Sequence, residues 1–267
     1  MKAKIGIFDS GIGGLTVAAQ IFKRLPQVDV IYFGDTARYP YGPRSDEIVR
    51  KFSFQNVRFL LSEKVDFIVV ACNTASAFAL KSLKKEFDIP LLGVVEPGAK
   101  AAIKYTKNKR IGVIGTVGTI SSSSYPKAIK KIDGSIKVFA RACPLLVALA
   151  EEGHINRKAT YLIVKDYLKP LMRKDIDTLI LGCTHYPLLK KIISQIVGKK
   201  IKLVDSAREI ASELKKHFQE KGRLNQRKYK GEHFFFVSDA PEKFAEVGER
   251  FLGKKIPKVK KTNIENY

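Results

Sequence analysis

A chain of 267 residues, 45% hydrophobic and 28% charged, is long enough to bury one or two substantial cores and too apolar to be disordered. Its 49 Lys and Arg against 26 Asp and Glu leave a formal charge of +23, yet the basic residues fall in short scattered clusters (107–110, 127–131, 258–261) with no single stripe and no RNA- or DNA-binding motif. A solvated lysine-rich exterior able to attract a small anion is therefore preferred to a nucleic-acid surface, and no apolar run reaches the ~18 residues that a membrane span needs.

The start, MKAKIGIFDSGIGG, turns glycine-rich after five residues, so no signal peptide is expected. The first predicted strand, 5–8, leads into Asp9 and Ser10 and then Gly11, Gly13 and Gly14. This is neither GxGxxG nor a P-loop, because no Gly-Lys-Ser/Thr follows. The glycines either let backbone amides approach a small anion or simply pack a tight turn. After a strand at 30–33, Arg38-Tyr39-Pro40-Tyr41-Gly42 is a turn with rigid φ angles and free amides, suited to a carboxylate or merely to turning. A helix over 46–64 carries an apolar stripe of Ile48, Val49, Phe52, Val57, Leu60 and Leu61.

The strand 67–71 ends at Cys72, followed by Asn73 and Thr74. A thiol facing helix N-terminal amides can have its pKa lowered from about 8.5, and Asn and Thr supply donors for a carboxylate. A strand at 91–95 precedes Glu96-Pro97-Gly98, the best candidate for a crossing between two halves of the chain. Strands at 111–114 and 137–139 follow. Cys143, in RACPLL, lacks an adjacent polar cluster and reads as structural, and Glu151 follows the run ACPLLVALA. The strand 178–181 ends at Cys183, Thr184 and His185. A Cys-His pair can be a nucleophile with its base or two zinc ligands, but i, i+2 spacing without a second ligand pair is not a metal signature, so no metal is expected. A strand at 202–204 and a tail strand at 232–238, packed back on the first half, complete the pattern.

Short, nearly continuous apolar strands alternating with helices give an α/β fold with doubly wound, mostly parallel sheets. The chain also repeats faintly: KIGIFDSG (4–11) resembles RIGVIGTVG (110–118), and DFIVVACNT (66–74) resembles DTLILGCTH (177–185) at nearly the same offset. The expected organisation is two pseudosymmetric domains, 1–97 plus 208–267 and 98–207, with a ligand cleft between them where strands end. Each lobe then offers one cysteine. Inverting a carbon stereocentre needs a proton removed from one face and returned on the other, which two thiols across a cleft can do. Three cysteines without CxxC spacing point to reduced thiols in the cytoplasm.

The motifs GIFDSGIGGLTV, YFGDTARYPYG, VVACNTASA, GVVEPG, GVIGTVGTI, ACPLLVALAEEG and LILGCTHYPLL, spread over residues 4–207, make the chain similar to the glutamate racemases of the Asp/Glu racemase superfamily. The resemblance implies a cofactor-independent interconversion of L- and D-glutamate that supplies D-glutamate for peptidoglycan synthesis. By position it makes Cys72 and Cys183 the two acid/bases, Asp9 and His185 their helpers and Glu151 a supporting acid. Asp9, Ser10, Tyr41, Gly42, Asn73, Thr74, Thr116, Thr119, Thr184 and His185 become substrate contacts. It further implies glutamate as the partner, no membrane, and a homodimer as one assembly. Ala148 departs from the proline that many members carry there, the high basic charge is not a family trait, and the precursor activation linked to an N-terminal extension in some longer members is not expected. The competing readings are a racemase for aspartate or another dicarboxylate, and a basic nucleic-acid- or topoisomerase-binding protein. A pyridoxal enzyme is disfavoured because no lysine stands in a recognisable cofactor loop.

Overall fold

The computed structural model of the chain describes residues 3–222, 224 and 230–267; residues 1–2, 223 and 225–229 of the expected first lobe lie outside the described residues. Its strands are β1 (Lys4–Asp9), β2 (Asp29–Gly34), β3 (Phe67–Val70), β4 (Leu91–Gly93), β5 (Arg110–Gly115), β6 (Lys137–Ala142), β7 (Thr178–Gly182), β8 (Lys202–Val204), β9 (His233–Val237) and β10 (Val259–Lys261). The helices are α1 (Leu15–Arg24), α2 (Asp46–Ser62), α3 (Asn73–Phe78), α4 (Leu80–Glu86), α5 (Val95–Tyr105), α6 (Val117–Ser121), α7 (Ser124–Ile132), α8 (Leu145–Glu151), α9 (Lys158–Met172), α10 (Lys190–Val197), α11 (Ser206–Glu220) and α12 (Pro241–Leu252).

Two sheets result, in strand order β10-β9-β2-β1-β3-β4 and β6-β5-β7-β8, and every pairing among the described residues is parallel. Without β9 and β10, the first order, β2-β1-β3-β4, is the second order strand for strand. The faint sequence repeat is thus a repeat of topology: β3 and β7, which lead to the two cysteines, hold the same place beside β1 and β5.

Side chains alternate across each strand, and the cores follow that alternation. Ile5, Ile7 and Val69 from one sheet and Ile114, Leu179 and Leu181 from the other belong to one buried cluster with α1 and α11, so the lobes share a core. The opposite faces make separate clusters: Phe8, Phe33, Ile68 and Val70 with α2, and Ile111, Val113 and Ile180 with α5. Each such side chain, fully buried, contributes about 1.5–3 kcal/mol relative to exposure.

Most expected elements shift by only one or two residues at an end, and β4, β6 and β10 differ most. β4 stops at Gly93, and Glu96-Pro97-Gly98, where the crossing was expected, is the first turn of α5, the helix that leads from the first sheet to β5 of the second. Proline costs nothing there, since the first amides of a helix have no intrahelical acceptor, and Gly98 N donates the first bond, to Val94 O at 3.2 Å. The chain thus leaves the first sheet already helical. β6 runs three residues beyond its expected end, its edge position tolerating exposed Arg141. β10, with the sequence VKK, is too short and lysine-rich for its periodicity to show; it extends the sheet beyond β9, which itself pairs with β2.

Candidate active site

Both thiols stand where a buried strand ends and the backbone turns into a helix. Cys72 is the N-cap of α3, and its Sγ accepts from Ala75 N at 3.5 Å and lies 3.7 Å from Ser10 Oγ. Cys183 follows β7 and precedes a 3-10 turn at Tyr186–Leu189, with its Sγ 3.7 Å from His185 Nδ1. Each cysteine is 6% exposed. One comes from each sheet, and both line the same cavity of about 370 Å³, within the usual range for small-molecule sites.

The glycines after β1 are explained by closeness rather than by φ. A Cβ on Gly13 would sit 2.3 Å from Thr184 Oγ1 and 2.5 Å from the His185 ring, so the first lobe meets the second here with no room for a side chain. Thr16 Oγ1 donates to Thr184 O at 3.0 Å and fixes the same contact. On the far side of the cavity, Gly118 N donates to Gly42 O at 2.8 Å. Thr74 Oγ1 lies 2.8 Å from Thr116 Oγ1 and 3.2 Å from Thr119 Oγ1, joining the lobes through hydroxyls. Asn73 is held from the second lobe by the Tyr125 hydroxyl, which donates to its Oδ1 at 2.8 Å.

The electrostatic settings of the two thiols differ. Burial, and then the negative charge of Asp9, push the Cys72 thiol up to about 12 despite the Ala75 amide and Ser10. Burial also raises Asp9, held back by the His185 charge, the Gly11 and Gly14 amides and Thr184; Gly11 N donates to Asp9 Oδ2 at 3.0 Å and Thr184 Oγ1 to Oδ1 at 3.4 Å. Around Cys183 the neighbour is a base instead. His185 Nε2 lies 2.8 Å from Glu151 Oε1, the last residue of α8. Burial pulls His185 down, but its bonds to Cys183 and Glu151 and their charges outweigh this and carry it up to about 10.

Ser10, Tyr41, Gly42, Asn73, Thr74, Thr116, Glu151, Thr184 and His185 line the cavity with the cysteines; Asp9 and Thr119 stand behind its wall, bonded to Thr184 and to the other threonines. The Tyr41 hydroxyl is turned away, donating to Asp35 and accepting from Asn56 Nδ2 at 3.0 Å, which leaves its ring and backbone to the cavity. Pattern reading missed Pro43, Val117, Pro144, Val147 and Glu152 as lining residues, gave Ala148 no place in the site, and left Tyr39 and Pro40 as turn residues although the Tyr39 ring stacks on His185 at 6.3 Å between centroids. Only the YPYG turn carried a signal for Tyr39. No lysine or arginine lines the cavity, so an anion in it meets amides and hydroxyls. Among the described residues no group of three or more His, Cys, Asp or Glu converges as metal ligands would, and no helix is long and apolar enough to cross a membrane. Such a cavity can hold a small anion between two thiols with separate proton partners.

Comparison with known proteins places this geometry in a family context. A family model described as Asp/Glu/Hydantoin racemase matches residues 15–214. A glutamate racemase of Geobacter metallireducens is 50% identical over 261 residues, covering 98% of this chain and 97% of its own. Among solved structures, glutamate racemase isoform RacE1 from Bacillus anthracis superposes with a TM-score of 0.93 at 45% identity, over 97% of each chain. Glutamate racemase from Francisella tularensis, crystallised with D-glutamate, also gives 0.93, at 37% identity over 100% of this chain and 99% of its own.

Proposed function

The chain belongs to the Asp/Glu/hydantoin racemase family, among its glutamate racemases, and from that membership we propose that it interconverts L- and D-glutamate with its own two thiols, without cofactor. The observation that carries this reading is one buried strand-end cysteine from each of two topologically matching lobes in a single cavity. Aspartate as the preferred substrate is the alternative that the same chemistry allows.

In one direction Cys183, its own proton passed to His185, takes the α-proton, and the C–H electron pair spreads into the α-carboxylate. Cys72 then gives its thiol proton to the opposite face, ending as thiolate. The reverse reaction, or exchange with solvent, resets the pair. Glu151 orients the imidazole and balances its charge through the 2.8 Å contact. Cys72 is high as a free thiol, and a bound amino acid brings an ammonium that favours its thiolate. Asn73, Thr74, Thr184, Ser10 and the backbone at Gly42 are the donors for the two carboxylates, with Thr116, Thr119 and Asp9 supporting them. Donors fixed before reaction are the form of help that stabilises developing carboxylate charge.

We also assign the product D-glutamate to peptidoglycan synthesis, the enzyme to the cytoplasm where its three free thiols stay reduced, and a homodimer as its assembly. The deciding measurement is chiral analysis of L-glutamate incubated with protein dialysed against chelator and free of pyridoxal phosphate. Conversion towards equal enantiomers, with aspartate turned over far more slowly, is expected. Activity appearing only after zinc or pyridoxal phosphate is restored, or aspartate racemised as fast, overturns the corresponding part.

A further inference from the structure

Behind the cavity wall lies a buried charged cluster that the proton chemistry does not use. Asp35 is 0% exposed, and every one of its acceptor directions is filled. Arg38 Nε donates to its two oxygens at 3.0 and 2.8 Å, Arg38 Nη2 lies 2.8 Å from Oδ2, Ser238 Oγ donates to Oδ1 at 2.9 Å, and the Tyr41 hydroxyl donates to Oδ2. Arg38 in turn donates to Gln55 Oε1 at 2.5 Å, Asn56 Oδ1 at 3.2 Å and Glu265 Oε1 at 3.4 Å, with its guanidinium 4.1 Å over the Phe52 ring. One carboxylate thus grips residues three and six positions ahead and closes the loop on itself.

The same loop is fastened to the C-terminal part of the chain. Ala37 N donates to Ser238 Oγ at 2.8 Å, and Thr36 and Asp239 exchange bonds at 2.5 and 2.9 Å. Its other side forms the cavity wall at Tyr39, Pro40 and Gly42, where a Cβ on Gly42 would lie 2.9 Å from Thr116 Cβ. Asp35, Arg38, Ser238 and Glu265 do not line the cavity.

We propose that Asp35 and Arg38 are positioning residues that set the cavity wall at Tyr39–Gly42, and that the C-terminal segment, through Ser238 and Glu265, holds them in place; this rests on the reading of the cleft as the racemisation site. A buried pair with one partner removed leaves an uncompensated charge, so the loop must rearrange to solvate it. Neither thiol, nor His185 or Glu151, bonds to Asp35 or Arg38, and the loop reaches the proton relay only through Tyr39, which stacks on His185 and hydrogen-bonds Glu151, so substrate binding is affected ahead of proton transfer.

The test compares Asp35→Asn, Arg38→Lys and Ser238→Ala with wild type, using hydrogen exchange of the peptide covering residues 36–44 without substrate and steady-state kinetics with each glutamate enantiomer. Faster exchange confined to that peptide is expected, with KM raised about fivefold for Ser238→Ala and tenfold or more for Asp35→Asn, and kcat within about threefold. If Asp35→Asn does not fold, Ser238→Ala and Arg38→Lys carry the comparison. Unchanged exchange and KM in folded variants overturn the proposal, as does an even rise in exchange along the chain with KM unchanged. A wild type that fails to racemise glutamate sinks the functional reading instead, while the exchange measurement still decides whether the cluster holds the loop.

Discussion

The Cys72 thiol shares its corner of the cavity with a backbone amide, a serine hydroxyl and the charge of Asp9, whereas the Cys183 thiol shares its own with an imidazole. Two unlike thiols must still give the same efficiency in both directions, because the enantiomers have equal energy and the equilibrium constant is one. Cys72→Ser and Cys183→Ser should therefore each depress kcat/KM for L- and D-glutamate by the same factor, on the order of 10³ or more, since serine is a far weaker base at neutral pH. The double variant should lose little further, as members of one proton relay are not additive. Circular dichroism from either enantiomer reads this, and substantial activity left in either single variant removes that thiol from the relay. Stability follows a separate line. His185 holds its proton up to about 10 when folded, against 6.5 unperturbed, so its contribution is fully present below about pH 6.5 and is lost as pH rises towards 10. Cys72 acts in the same sense higher up: the unfolded thiol ionises near 9 and the folded one near 12, so stability falls between them. His185→Asn should flatten the loss of urea-unfolding free energy between pH 7 and 9 and leave the fall above pH 9, where Cys72 contributes; parallel curves for variant and wild type sink this assignment.

At the scale of elements, the strand-to-helix turns after β1, β3 and β7 contribute both thiols and their neighbours to the cavity, and they are also the most legible parts of the sequence. Apolar runs as short as FIVV and TLILG, bounded by polar residues, fit strands buried on both faces better than helices, and soon after each come small polar residues, Cys72-Asn73-Thr74 and Cys183-Thr184, that suit a turn. What stayed hidden depends on distant partners. That Pro97 lies inside a helix depends on its falling in the first turn, and β10 is a strand only because β9 offers it an edge. The His185–Glu151 contact joins residues 34 apart that no local pattern links, and only family resemblance named Glu151. The Asp35–Arg38 cluster was likewise silent, because a carboxylate in a turn reads as solvated until Ser238 is seen above it. The turn after β1 gives a sharp prediction: Gly13→Ala puts a methyl 2.3 Å from Thr184 Oγ1, and the contact can be relieved only by moving Thr184 or His185 or by parting the lobes. Turnover should fall by about 10²-fold, as expected for small misplacements of a proton-transfer group, while the protein remains folded by circular dichroism. Gly198→Ala, on a surface turn with nothing within 4 Å, provides the comparison for a strained glycine far from the cleft and should retain near wild-type turnover.

For the whole molecule, the charge of +23 and the cavity lining are complementary. A dicarboxylate amino acid carries a net negative charge, yet the wall around the thiols offers it Glu151, Glu152 and no lysine or arginine, and its one imidazole, His185, is engaged by Cys183 and Glu151. Local recognition then rests on neutral donors that act over hydrogen-bond distances, and attraction from further away must come from the scattered lysines and arginines of the exterior. Such a field is summed over many weak sources and is screened within about 10 Å at 0.1 M salt. Raising potassium chloride from 10 to 300 mM should therefore increase KM for glutamate by about two- to fivefold, with kcat unchanged under the proposed two-thiol chemistry, whose groups are buried from the screening salt. Reversing the exterior clusters at 107–110 and 258–261 to glutamate should weaken the salt dependence without altering kcat. A KM that ignores ionic strength, or a kcat that falls in step with it, shows that the charge serves something other than the substrate. In that event, salt-sensitive binding of duplex DNA by the Cys72→Ser variant becomes the measurement to make, since nucleic acid is the other polyanion such an exterior can gather.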